Sequence, residues 1–123
     1  MLVAAGFTIA TDADLLWLRD YARAGGHLVV GIRTGYEDEE ARARLEPKPA
    51  FLATDAGVEY DEFSNLRTPV PLRAANAAGR IPGGGFHLPS DAAATRWADG
   101  LRLIAAPADG GAPARVLATY DHP

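Results

Sequence analysis

TDADLLWLRDYARAGGHLVVGI, residues 11–32, decides the fold reading, because a helical period and a strand-like run meet there at a glycine pair. The first part spaces Leu15, Leu18 and Ala22 at helical intervals, which sets them on one stripe of an amphipathic helix. Thr11 or Asp12 can cap its N-terminus, and Asp14 lies in the first turn, where an acid favours the helix dipole. Gly25 and Gly26 suit a left-handed C-terminal cap. Leu16, Trp17, Tyr21 and Ala24 widen the apolar face beyond what one sheet contact needs, so a second contact surface is expected. The run HLVVGI (27–32) is short, continuously apolar and β-branched, the pattern of a strand covered on both faces in a parallel sheet. With the apolar opening MLVAAGFTIA before it, the order strand, helix, strand predicts an α/β unit.

Beyond that joint, GIRTGYEDEE gathers Glu37, Asp38, Glu39 and Glu40 after a strand. Facing carboxyl groups about 5–5.5 Å apart can cleave a glycosidic bond with retention. Sequence neighbours rarely face each other in that way, so residues 37–40 are read as first-turn acids that start a helix, with Arg42 and Arg44 near for pairing. A short helix ending at Gly57 follows, then an edge strand VEYDEF (58–63) that alternates Val58 and Tyr60 with Glu59 and Asp61. Residues 68–90 are rich in proline and glycine without a period, which predicts an irregular excursion with residues 83–85 in a flexible loop. In LRLIAAPADGGAPARVLATY (101–120), Leu101, Leu103 and Ala105 face Val116, Ala118 and Tyr120 around Asp109, Gly110 and Gly111, a hairpin pattern.

The chain has 123 residues, which predicts one domain able to bury about two thirds of its unfolded surface. Hydrophobic residues at 48% and charged residues at 23% are ordinary globular usage. A net charge of −4, with twelve basic residues scattered singly, offers no stripe to neutralise phosphates, so nucleic acid is not an expected partner. The absence of cysteine excludes disulfides, thiolate metal sites and a cysteine nucleophile. The opening residues lack the basic flank of a signal peptide, and no run approaches the roughly 18 apolar residues of a spanning helix. A soluble, cytoplasmic chain without a membrane partner is the expectation. Gly83, Gly84 and Gly85 lack the spacing of a phosphate or dinucleotide loop. His27, His87 and His122 stand in separate elements without ligand spacing, so neither a metal nor another cofactor is expected. Ser64 and Ser90 lack a nucleophile elbow. Trp17 reads either as core or as an interface anchor.

Four stretches in order, TIATDADLLWLRDYARAGGHLVVGIRTGYEDEEARAR, PAFLATDAGVEYDEFSNL, TRWADGLRLI and ARVLATYDHP, resemble the middle domain of family 42 glycoside hydrolases, the bacterial β-galactosidases. The specific parts are the helix ending in Tyr-x-x-x-Gly-Gly, the Arg-Thr-Gly-Tyr-x-Asp-Glu joint, Ala-Gly-Val-x-Tyr-x-Glu-Phe, and Trp-Ala-Asp followed by Val-Leu-Ala-x-Tyr. The resemblance implies a trimerisation domain of α/β class: flavodoxin-like, three-layered like the class I glutamine amidotransferases, with a mostly parallel sheet truncated at its C-terminal end. It also implies a parent that hydrolyses terminal β-D-galactosides with retention, a homotrimer, and a catalytic barrel as the domain's other partner. The family's catalytic glutamates belong to that barrel, which typically needs about 250 residues. Residues 1–123 are therefore expected to be a catalytically silent domain of a longer chain, cut at both ends. Trp17, Tyr21, Tyr36, Glu37 and Asp38 are the candidate interface residues. Two rivals are an autonomous small α/β enzyme using Asp38 and Glu39 with His87, and a stand-alone sugar-binding or regulatory module.

Overall fold

The strand, helix and strand around residues 11–32 form as expected. In the computed structural model, which describes residues 1–75, 80–81, 84–105 and 113–121, β1 (Leu2–Ala4) pairs in parallel with β2 (Leu28–Val30). Helix α1 (Asp12–Arg23) makes the crossover between them. Its N-terminus is a capping box: Thr11 Oγ1 accepts from the Asp14 N–H at 3.1 Å, and Asp14 Oδ2 accepts from the Thr11 N–H at 3.1 Å. Its C-terminus is a Schellman turn. The Gly26 N–H donates to Tyr21 O and the Gly25 N–H to Ala22 O, both at 3.0 Å, with Gly25 in the left-handed region at φ 91°.

The helix buries Leu15 and Leu18 against Ala4, Ala10, Ala50 and Leu52, with Leu2, Leu28 and Phe51 packed around them. Full burial of a leucine side chain contributes about 1.5–3 kcal/mol. Past their ends β1 and β2 continue side by side: the Gly31 N–H donates to Ala4 O (2.8 Å), Gly35 to Phe7 O (2.9 Å) and Glu37 to Thr8 O (2.9 Å). A 3-10 turn (Ala50–Leu52) then leads into α2 (Ala53–Ala56), which ends as expected at Gly57, left-handed at φ 68°.

The remaining strands are β3 (Val58–Glu59), β4 (Phe63–Asn65), β5 (Val70–Ala74), β6 (Arg80–Ile81), β7 (Gly84–His87), β8 (Ala93–Ala94), β9 (Trp97–Asp99), β10 (Arg102–Leu103) and β11 (Ala118–Tyr120). They belong to two compact units, Met1–Phe63 with Asp99–Ala114, and Ser64–Ala98 with Arg115–Pro123. In the first unit β3 pairs antiparallel with β10. In the second, β5 lies antiparallel between β8 and β11, and β6 pairs antiparallel with β7. Strand β4 pairs with β9.

This architecture overturns the expected flavodoxin-like, amidotransferase-like three-layer domain. Among the described residues β1 and β2 pair in parallel, continued by a parallel bridge between Ile9 and Glu37, and the fold is otherwise short, mainly antiparallel strands with two helices. A parallel crossover needs a dozen or more residues, usually a helix. After β2 the next α-helix is the four-residue α2, which is too short for that return. Three local expectations fall with it. HLVVGI is not covered on both faces, since Val29 and Val30 remain 48% and 36% exposed. The arms of the expected hairpin pair elsewhere, Leu103 with Val58 and Ala118 with Ala74, while Asp109, Gly110 and Gly111 lie outside the described residues. Gly84 and Gly85 belong to β7 rather than to a loop, and Gly83 lies outside the described residues. No helix among the described residues is long and apolar enough to cross a membrane.

The C-terminal turn of α1 generates a test. A Cβ on Gly26 would lie 2.4 Å from Tyr21 Cε1 and 2.6 Å from Tyr21 O. Gly26→Ala is expected to lower unfolding stability by about 1–3 kcal/mol in urea titration, as overpacking does.

Candidate functional site

Residues 33–48 carry the acids and aromatics that the sequence singles out, and buried polar contacts fold this segment back onto α1. Thr34 is fully buried, and its hydroxyl donates to Ala4 O at 2.8 Å. Two cations lie over the half-buried Tyr36 ring, the Arg33 guanidinium 5.3 Å and Lys48 Nζ 5.0 Å from its centroid. Phe63 meets the same ring edge-on at 5.7 Å. Such cation–π contacts contribute about 0.5–2 kcal/mol each, according to their desolvation.

The acids do not start a helix. Asp38 Oδ1 accepts from the backbone N–H groups of Glu40 and Arg42, both at 2.9 Å, and closes a tight loop in which Ala41 has φ 59°. An aspartate bonding its own neighbouring backbone in this way competes with helix formation. The expected pairing does occur, with the Glu40 carboxylate against the Arg42 guanidinium. The Glu37 carboxylate lies 3.6 Å from Arg33 Nη2. The Arg44 N–H donates to Tyr36 O at 3.0 Å, turning the chain back.

Two cations then point inward. Arg44 donates through Nη1 to Asp12 Oδ1 and through Nη2 to Ala10 O, both at 2.6 Å, and its guanidinium carbon lies 5.8 Å from the Phe51 ring centre. Lys48 Nζ donates to Arg44 O at 2.7 Å. Both side chains are consumed in holding the loop.

Next to them, the buried Tyr60 hydroxyl donates to Thr34 O at 3.4 Å. Burial pushes the Tyr60 phenol up from its ordinary value, and the nearby charge of Asp99 adds to that. Burial also raises the Asp99 carboxyl above 3.8, while the Arg33 backbone N–H and guanidinium oppose the shift. Asp99 Oδ1 and Arg33 Nε are buried without hydrogen-bond partners among the described residues.

The expected interface residues separate into two groups. Tyr36, Glu37 and Asp38 are half-buried and engaged within the first unit. Trp17 and Tyr21 stack at 5.9 Å with planes 21° apart; Trp17 is 59% exposed and Tyr21 half-buried. The rival acid–base set fares differently. Asp38 Oδ1 is tied to two backbone donors, Glu39 is exposed, and His87 belongs to the second unit. Among the described residues no three His, Asp or Glu side chains form a group that could hold a metal.

Sequence reasoning missed two features. Leu45 is 99% exposed, the one large apolar side chain in the charged run ARARLEPK, which was its signal. A groove of about 570 Å³ opens beside β2, lined by residues that include Ala22, Leu28, Val29, Leu52 and Ala56. Its lining comes from α1, β2, the 3-10 turn and α2, which no local pattern brings together.

The profile of one family, described as the β-galactosidase trimerisation domain, matches residues 1–120. No curated protein matches the chain. Among solved structures, a cold-adapted β-galactosidase from Rahnella sp. R3 aligns with TM-score 0.76 and 19% identity over 99% of this chain and 16% of that one. The β-galactosidase from Bacillus circulans sp. alkalophilus gives TM-score 0.75 and 16% identity over 99% of this chain and 16% of that one. A GH42 β-galactosidase from G. stearothermophilus gives 0.74 and 20%, over 99% of this chain and 15% of that one. These likenesses show a shared fold, and the chain spans about 16% of the length of the first structure it matches.

Two substitutions test the polar cluster. Arg44→Leu leaves the buried Ala10 carbonyl without its donor and is expected to cost about 1–3 kcal/mol in chemical denaturation. Asp12→Asn, at a largely exposed partner, is expected to cost under about 1 kcal/mol. The raised Asp99 carboxyl binds its proton more tightly folded than unfolded, so its stabilising contribution is complete below pH 3.8 and is lost as pH rises through the folded-state value. Asp99→Asn is therefore expected to raise the melting temperature at pH 7, with the gain vanishing below pH 3.8 in a thermal series.

Proposed function

The chain belongs to the β-galactosidase trimerisation domain family, and we propose that residues 1–123 act as one non-catalytic domain holding three copies of a parent β-galactosidase together. The observation that carries this reading is the family match over residues 1–120, nearly the whole chain. The exposed Trp17, stacked on the half-buried Tyr21, supports it, because exposed aromatic side chains are what association surfaces bury. Both residues are assigned to the interface. Tyr36, Glu37 and Asp38 contribute to it indirectly, by holding the loop that presents their neighbours.

The parent's reaction is assigned to a separate catalytic barrel, which is the domain's partner within the chain. That assignment rests on the matched structures being β-galactosidases of which this chain spans 15–16%. The substrate class is then a terminal β-D-galactoside, cleaved with retention by two barrel carboxylates about 5–5.5 Å apart. The acidic chain with no basic stripe supports an enzyme that does not bind nucleic acid, and a cytoplasmic location without a membrane partner is assigned with it.

Sedimentation of the full-length protein is expected to give a trimer, and a monomer would overturn the reading. Trp17→Ala is expected to weaken that trimer while leaving the helical circular dichroism unchanged. Hydrolysis of a chromogenic β-galactoside is expected to persist in Glu39→Gln and Asp38→Asn; its loss in either variant, with the fold intact, would show that this domain takes part in catalysis.

A further inference from the structure

We draw no further inference here: the strongest candidate, the apolar groove of about 570 Å³ that α1, β2 and α2 line in the first unit, carries nothing, because its charged residues Arg19 and Asp55 are opposite in sign and nothing in the structure shows what covers it.

Discussion

Arg44 closes the first unit. Its guanidinium reaches across from the loop to the start of α1, where one branch meets the Asp12 carboxylate and the other the Ala10 carbonyl. A planar fork makes both bonds from one rigid group, which a lysine ammonium on a flexible stem cannot match. The Ala10 carbonyl is buried and would otherwise lack this donor, so the contact satisfies a backbone group as well as pairing a charge. Once Arg44 is anchored, Lys48 caps the Arg44 carbonyl, and both Lys48 and Arg33 lie over the Tyr36 ring. The loop then has no freedom to run outward as a helix.

What was legible in the sequence follows the range of the interactions. Helix α1 could be read almost to the residue, because its capping box, buried stripe and glycine turn each act within a few positions of the chain. The same locality explains Gly57, whose left-handed cap ends α2. Strand pairing failed the same kind of reading. Leu103 and Ala118 both sit in alternating stretches, yet their partners are Val58 and Ala74, some 45 residues away in each case. Alternation says which face a side chain takes and nothing about which strand lies alongside.

The acidic run shows a subtler failure. Glu37, Asp38, Glu39 and Glu40 do have the composition of a helix start, and the alternative depended on one side chain bonding two backbone amides. Asp is among the residues for which that competition is ordinary. The family resemblance was carried by local wording such as the Tyr-x-x-x-Gly-Gly helix end, and that wording identified the family correctly. Its inference about layers needed repeated crossover helices, and the described chain supplies one, α1.

The apolar reading of HLVVGI was sound even though its burial was not, and the discrepancy bears on assembly. Among the described residues of the first unit, Ala4, Ala10, Leu15, Leu18, Ala50 and Leu52 form a buried cluster, while Val3, Ile9, Trp17, Val29 and Leu45 stay exposed. Exposed apolar area on this scale is a liability for a lone domain and an asset for one that associates. Each subunit contact that covers it stabilises the folded state over the unfolded one by mass action. Folding and assembly are then coupled through the same side chains, so that a substitution confined to the exposed apolar residues weakens the folded domain only in so far as it weakens the complex. Arg44 lies on the opposite side of that division, since it acts within one copy and its removal lowers stability at every protein concentration.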